Sequence, residues 1–214
     1  MVESKAWDWK TVTETVWQEP AEDVYYFVHR WKKQGFRQIL DLGCGIGRHS
    51  LLFAENGFQI SSFDLSEDGL DILNKTAMER KMTISLNCGD MKELPYKKNS
   101  FDCILAYHSI YHTDTNGISC VIAEMNRVLR QDGEIFVTFN SKNNPSFRNP
   151  KIKRIDDNTI IKLEGLEVGI PHYYADSKDI GKLLDSFKIL RIKQVEDIGD
   201  GWTSWHYFVH AKKK

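Results

Sequence analysis

The feature that most constrains the fold is a glycine-rich turn early in the chain, Asp41-Leu42-Gly43-Cys44-Gly45-Ile46-Gly47. Apolar residues at 39–40 precede it, and an apolar helical pattern at 51–53 follows it. Glycine permits sharp turns and lets a ligand approach the backbone where a side chain would block it. The segment therefore predicts a strand, a tight turn and a helix, with a ligand bound at the turn.

Strands and helices alternate along most of the chain. The alternation predicts an α/β fold with three layers, in which helices cover both faces of a mostly parallel sheet. The last two strands predict an antiparallel hairpin at one edge, which brings the sheet to seven strands. The predicted strands are Gln38–Asp41, Phe58–Phe63, Thr83–Asn87, Phe101–Ala106, Glu134–Phe139, Lys188–Val195 and Trp202–Ala211.

The length and patterning indicate one domain over residues 1–214. Residues 1–36 form an N-terminal arm and a helix, and the arm carries Trp7, Trp9 and Trp17. These rings either cap the site or pack into the core. Residues 140–175 interrupt the alternation at the functional edge of the sheet and predict a substrate-recognition insertion.

The composition is that of a globular protein, with 41% hydrophobic and 28% charged residues and a net charge of −1. This balance disfavours a nucleic-acid partner and an anionic membrane surface. The four cysteines include no C-x-x-C pair, so we expect reduced thiols and a cytoplasmic protein. The oligomeric state stays open.

Acidic residues follow three of the predicted strands, as Asp41, Asp64 and Asp90, and Tyr107-His108 follows a fourth. In parallel sheets ligands bind beyond the carboxyl ends of the strands, so these side chains are expected to lie together. An acid before the glycine turn would repel a phosphate. It suits a ligand with an ammonium group and ribose hydroxyls, such as S-adenosylmethionine.

In this order, the motifs resemble those of the class I S-adenosylmethionine-dependent methyltransferases. A looser match at Gly169–Tyr174 and Trp205–Tyr207 resembles the small tellurite-resistance-like members, of methyltransferase type 11 or 12. The residues that carry the main resemblance are Asp41–Gly47, Asp64 in Phe63-Asp64-Leu65-Ser66, Asp90 in Cys88-Gly89-Asp90-Met91, Phe101–His108 and Glu124–Gly133.

The resemblance implies a Rossmann-like fold and methyl transfer from S-adenosylmethionine to a small-molecule acceptor, with S-adenosylhomocysteine as product. It implies that Asp41 orients the cofactor's ammonium group, that Asp64 binds both ribose hydroxyls and that Asp90 binds the adenine amino group. The other cofactor-binding residues that it implies are Gly43, Cys44, Gly45, Gly47, Leu65, Met91 and Tyr107.

Two other functions compete with this interpretation. A nicotinamide-dependent dehydrogenase would also use Asp64, but its fingerprint is G-x-G-x-x-G, whereas the glycines here are spaced G-x-G-x-G. A non-catalytic module or partner subunit that binds S-adenosylmethionine is the second alternative. The intact set of acids and the histidines after the fourth strand disfavour it.

Candidate catalytic residues are His108, Tyr111, His112 and His172. His108 and His112 are four residues apart and would share one face if the segment is helical. Either could contact the acceptor or take up its proton near neutral pH. No third ligand accompanies the two histidines, so no metal site is predicted. His206 is expected to pack in the edge strand, and Arg48 to meet a carboxylate of the cofactor or substrate, or solvent.

Overall fold

The computed structural model describes residues 2–9, 17–163 and 167–214. Residues 1 and 10–16 of the predicted N-terminal arm and residues 164–166 of the predicted insertion lie outside the described residues. Helices and strands alternate as predicted. The elements of this part are α1 (Glu22–Lys33), β1 (Gln38–Leu42), α2 (Arg48–Glu55), β2 (Gln59–Asp64), α3 (Glu67–Glu79), β3 (Ser85–Cys88), β4 (Phe101–Ala106), α4 (Thr115–Val128) and β5 (Leu129–Ser141).

The main sheet has the strand order β3-β2-β1-β4-β5-β10-β9 across the described residues, where β9 is Phe187–Gly199 and β10 is Trp202–Lys213. The first five strands are parallel. β10 pairs antiparallel with both β5 and β9. The predicted sheet with its antiparallel last hairpin is confirmed.

The interruption between β5 and β9 contains a small sheet of its own. It consists of β6 (Arg154–Asp156), β7 (Thr159–Ile161) and β8 (Pro171–Ala175), with the short helix α5 (Pro145–Arg148) before it and α6 (Ser177–Leu183) after it. β6 and β8 each pair antiparallel with β7. β8 also pairs in parallel with the end of β5, so the insertion lies at the carboxyl edge of the main sheet.

Alternate residues of the central strands face opposite layers. Leu40 and Ile104 pack with the apolar side chains of α4 and α6, whereas Ile39 and Leu105 pack with those of α1 and α2. Both faces of these central parallel strands are therefore buried, as is usual for parallel strands. The predicted three-layer arrangement follows, because successive side chains of a strand point to opposite faces of the sheet.

The glycine turn after β1 has the conformation that its sequence predicts. Gly43, Gly45 and Gly47 have φ values of 72°, 55° and 83°, in the left-handed region. A Cβ on Gly43 would lie 2.2 Å from the Cβ of Ser109. A larger residue there would push apart the loops that follow β1 and β4.

β5 begins earlier than the predicted strand Glu134–Phe139. Residues 131–133 continue β5, which starts at Leu129 immediately after α4. The extra residues are absorbed where the register with β4 shifts, between the pairs Phe101↔Leu129 and Cys103↔Glu134. Asp132 has a φ of 64°, which is compatible with a bulge in the strand rather than an open turn.

Glu134 connects α1 with the last strands of the sheet through hydrogen bonds. Its buried carboxylate accepts hydrogen bonds from Arg30 at 2.7 and 2.9 Å and from the Trp31 indole at 2.9 Å. Gln34 and His210 lie at 3.0 and 2.9 Å from the same carboxylate. Burial would raise the pKa of Glu134, but these partners hold it far below its ordinary value, so the group stays ionised.

We expect Glu134→Gln to lower the free energy of unfolding by about 3 kcal/mol, because Arg30 and the other donors lose a charged partner. Urea unfolding measures this change. Glu55→Gln is the matched control, since the Glu55 pair with Arg80 is exposed and should contribute less than about 1 kcal/mol. Equal effects of the two substitutions would contradict the role given to Glu134.

Candidate active site

Two cavities open at the carboxyl edge of the main sheet. The inner cavity, of about 120 Å³, is lined by the glycine turn and the ends of β2 and β3. The outer cavity, of about 1110 Å³, lies between α1, the insertion and the last hairpin. The two share a wall made of Trp7, Trp17, Arg48, Tyr107, His108, Tyr111 and Glu167.

Most of the predicted cofactor-binding residues meet in the inner cavity. Asp41, Gly45 and Gly47 are the predicted residues that do not line it. The residues that do are Gly43, Cys44, Asp64, Leu65, Asp90, Met91 and Tyr107.

Asp64 ends β2 with its carboxylate held by two backbone amides. Oδ2 accepts from the Gly45 amide and Oδ1 from the Ser66 amide, each at 2.8 Å. Burial raises the pKa of Asp64, and these amides oppose the change. Each oxygen has acceptor capacity beyond its one amide bond, so the group can still bind a pair of hydroxyls.

Asp90 occupies a more exposed position at the end of β3. Its Oδ1 accepts from the Lys92 amide at 2.9 Å, and its Oδ2 lies 3.2 Å from the Lys92 ammonium. These bonds outweigh partial burial and lower the pKa of Asp90. Asp90 and its neighbour Met91 both line the inner cavity.

Asp41 lies beneath the cavity rather than in its wall. It is 1% exposed and accepts a hydrogen bond of 2.6 Å from the Ser50 hydroxyl, which in turn lies 2.7 Å from the Ser62 hydroxyl. Burial raises the pKa of Asp41 to about 6. The structure thus separates Asp41 from the other strand-end acids, because it lies within β1 and not beyond its end.

The tryptophans of the N-terminal arm cover the glycine turn. Trp7 stacks on Trp9 with a centroid distance of 5.7 Å, and Trp17 lies 5.7 Å from Trp7. A Cβ on Gly45 would lie 2.2 Å from the Trp9 ring, which explains why Gly45 is shielded from the cavity. All three rings line the inner cavity, in the position expected for a cap.

His108 and Tyr111 stand in the wall between the cavities. The segment after β4 is not helical, so His108 and His112 do not share a helical face; His108 instead has a φ of 54°. The Tyr111 hydroxyl lies 3.2 Å from His108 Nδ1. Burial and the nearby His206 lower the pKa of His108 well below its ordinary value, and burial raises that of Tyr111.

His206 is more than an edge-strand packing residue. β10 places it in the wall of the outer cavity, with its ring centroid 4.4 Å from that of His108. Burial lowers the pKa of His206 to about 4. The alternation along a strand could have indicated which face it occupies, but not that this face borders a cavity.

His112 and His172 are joined by Glu167, a residue that sequence reasoning missed. His112 Nε2 lies 3.1 Å from Glu167 Oε1, and His172 Nε2 lies 3.0 Å from Glu167 Oε2. The three potential ligand atoms of this group lie within 4.8 Å of one another. Glu167 precedes Gly169 in a turn, and no local pattern marks it as functional.

Arg48 begins α2 and lines both cavities. Its guanidinium lies over the rings of Trp17 and Tyr107, at 5.2 and 5.6 Å from their centroids. Burial lowers the pKa of Arg48, but the group remains charged at neutral pH. It therefore places a positive charge in the shared wall.

Comparison with known proteins identifies the central part of the fold. Residues 39–133 match the family model described as a methyltransferase domain. This segment of the chain is similar to methyltransferase domains. The prediction of a class I methyltransferase, an enzyme family whose cofactor is S-adenosylmethionine, is confirmed at the level of family and fold.

One curated relative of this methyltransferase domain is (+)-O-methylkolavelool synthase of Herpetosiphon aurantiacus. It is 31% identical over 107 residues, which cover 47% of this chain and 36% of that protein. The chain spans less than half the length of the curated relatives that it matches.

Solved structures match over almost the whole chain. A SAM-dependent methyltransferase of Methanosarcina mazei is 17% identical with a TM-score of 0.76, over 91% of this chain and 98% of that chain. The 1,6-didemethyltoxoflavin-N1-methyltransferase of Burkholderia thailandensis is 18% identical with a TM-score of 0.69, over 93% and 81%. At these identities the similarity establishes the fold. Among the described residues, no helix is long and apolar enough to cross a membrane.

The burial of Asp41 predicts a pH dependence of stability. Its pKa is about 6 in the folded protein and 3.8 ordinarily, so its contribution to stability falls as the pH rises through this interval. Asp41→Asn removes that loss. We expect the variant to gain about 2 kcal/mol relative to the parent between about pH 4 and about pH 7.

Urea unfolding of both proteins at the two pH values measures this gain. Asp71→Asn, a substitution at an exposed position of α3, is the control and should show no comparable change. A difference between parent and Asp41→Asn that is the same at both pH values would contradict the assignment.

Proposed function

We propose that this protein transfers the methyl group of S-adenosylmethionine to a small-molecule acceptor bound in the outer cavity. The observation that carries the proposal is the shared wall between two cavities, one formed by the methyltransferase motifs and the other by the insertion and last hairpin. Methyl transfer needs the two ligands to lie next to each other, and two adjoining cavities allow this.

The inner cavity is the proposed cofactor site. Asp64 receives the ribose hydroxyls, and Asp90 and Met91 receive the adenine, as the family resemblance implies. With the arm in place, the free volume of about 120 Å³ is below the roughly 300–1,000 Å³ of typical small-molecule sites. Binding therefore requires the arm to shift, and Trp9, which lies on the glycine turn, is the residue that we expect to move first.

Asp41 contributes to cofactor binding from its buried position beneath the glycine turn. When the cofactor's ammonium group approaches the glycine turn, an ionised carboxylate under the turn is stabilised, and the pKa of Asp41 falls from about 6. Asp41 then stabilises the ammonium group electrostatically, through the Ser50 hydroxyl and the glycine turn, rather than by direct contact.

The reaction needs alignment more than acid–base chemistry. When bound, S-adenosylmethionine would supply an electrophilic methyl carbon: the acceptor's lone pair would form the new bond as the carbon–sulfur bond breaks, its electron pair would remain on S-adenosylhomocysteine, and a proton of the acceptor atom would pass to solvent. The protein's residues orient the acceptor and exclude water. The aromatic side chains of Tyr107, Tyr174 and Phe208 in the outer cavity suit a planar or apolar acceptor.

His108 is best suited to orient the acceptor. The Tyr111 hydroxyl, whose pKa is raised by burial, donates to His108 Nδ1, so the ring proton resides on Nε2. A neutral His108 can then donate from Nε2 to an acceptor oxygen or nitrogen. This assigns His108 to substrate contact rather than to proton acceptance.

Removal of the ribose acid tests the cofactor site. We expect Asp64→Ala to weaken S-adenosylmethionine binding about 10- to 100-fold, because a carboxylate loses charge-assisted hydrogen bonds to two hydroxyls. Titration calorimetry measures the affinity, and Asp71→Ala on the exposed side of α3 is the control.

Because Asp64 also holds the Gly45 and Ser66 amides, Asp64→Asn provides a variant that keeps one acceptor oxygen. Thermal unfolding verifies that both variants fold. Unchanged affinity in folded variants would refute the assignment, and binding of a nicotinamide dinucleotide in place of S-adenosylmethionine would favour the dehydrogenase.

Loss of the orienting histidine tests the transfer step. We expect His108→Ala to lower turnover about tenfold, the equivalent of one hydrogen bond, with little change in cofactor affinity. His108→Asn tolerates the φ of 54° and supplies an amide donor, so it should recover part of the activity.

Turnover is measured with labelled S-adenosylmethionine and an acceptor found by screening small aromatic compounds. His29→Ala, at an exposed position of α1, is the control. A His108→Ala protein that binds the cofactor and turns over at the parent rate would return His108 to a packing role.

A further inference from the structure

We propose that His112, Glu167 and His172 form a binding site for a divalent transition-metal ion at the junction of the two cavities. His112 and Glu167 line the inner cavity, and Glu167 and His172 line the outer one. Two imidazoles and one carboxylate are a donor set suited to zinc, iron(II) or cobalt(II).

The donor atoms have nearly the spacing that a bound ion imposes. Two ligands at about 2.1 Å from a tetrahedral ion lie about 3.4 Å apart. The carboxylate oxygens of Glu167 lie 3.1 Å from His112 Nε2 and 3.0 Å from His172 Nε2. All three ligand atoms fall within 4.8 Å of one another, so small side-chain movements would complete the site.

The tautomer of His172 is the strongest argument for a cation. His172 Nδ1 lies 2.9 Å from the carbonyl oxygen of Ile170, which can only accept, so Nδ1 carries the ring proton. Nε2 then presents a lone pair to the Glu167 carboxylate. The residue is 1% exposed, and its Nε2 has no hydrogen-bond partner among the described residues.

Two lone pairs therefore face each other in a buried site, an arrangement that costs free energy unless a proton or a metal ion lies between them. A metal ion accepts both lone pairs. The bond from Nδ1 to a backbone carbonyl is also the support that metal-ligating histidines usually have.

Lys162 is the competitor for this position. Its ammonium contacts Glu167 Oε2, and it neutralises the carboxylate in this structure. The side chain is 30% exposed and lines the outer cavity, so it can move away when an ion binds. The ammonium supplies one charge to the carboxylate but cannot accept the lone pair of His172.

Three protein ligands leave at least one coordination position open. Glu167 stands in the wall shared by both cavities, so that position can face the acceptor. The inference for the acceptor rests on the proposed function: an oxygen or nitrogen atom of the acceptor would bind the ion, lose its proton more readily and be held for methylation.

Cobalt(II) provides the direct test, because its visible absorption reports coordination. The full chain is stripped with a chelator, desalted and titrated with cobalt(II), and the bound ion is then displaced with zinc(II). We expect a visible band that saturates at about one equivalent and disappears on zinc addition. Azide, which binds open positions, should shift the band; an unchanged band would contradict the open position.

Variants distinguish this site from adventitious binding. Glu167→Gln and His172→Ala should weaken zinc binding by more than the roughly 10–100-fold typical for loss of an outer partner. Lys162→Gln should strengthen it, because it removes the competing ammonium. His29→Ala, which removes an exposed histidine, should leave it unchanged.

Thermal unfolding establishes that each variant folds, and zinc should raise the midpoint of the parent but not of Glu167→Gln. Absence of stoichiometric cobalt binding in the parent, or equal zinc affinity in Glu167→Gln and the parent, would overturn the proposal. The titrations need no S-adenosylmethionine. Cofactor binding to Glu167→Gln, measured separately by calorimetry, therefore keeps a failure of the metal site distinct from a failure of the proposed function.

Discussion

Burial of both faces of the central sheet is the constraint on which the rest of the structure depends. In β1, every residue from Ile39 to Leu42 is buried, because helices cover the strand on both sides. Polar ligands then have access to the sheet only at the ends of its strands. The loops after β1, β2 and β4 converge there, and the glycine turn makes room for their close packing, as the contact of Gly43 with Ser109 illustrates.

The same burial determines the electrostatics of the site. Acids that reach the edge have several donors around them: backbone amides bind Asp64, and imidazoles and an ammonium surround Glu167. Asp41 lies one layer deeper, where a single hydroxyl donor does not compensate for desolvation, and its pKa rises to about 6.

The arm and the insertion turn this edge into two enclosed cavities. Trp7 and Trp17 cover one side, while β8 and the last hairpin enclose the other. β8 is anchored by its pairing with the end of β5, and this places His172 opposite the loop that carries His112. The family match ends at residue 133, so the insertion and the last hairpin, which line the proposed acceptor cavity, lie outside it.

The sequence by itself determined the alternating fold, the antiparallel last hairpin, the glycine turn and most of the inner cavity. These features depend on local rules, namely the apolar period of each element, the conformational freedom of Gly43 and the meeting of parallel strands at one edge. Tertiary structure alone decided that Asp41 is buried beneath the turn, that Glu134 collects donors from α1 and β10, and that Glu167 joins two histidines. His112 and Glu167 are 55 residues apart, and nothing in either local pattern encodes their contact. They meet because the insertion folds back over the sheet edge, a consequence of long-range packing that no periodicity records.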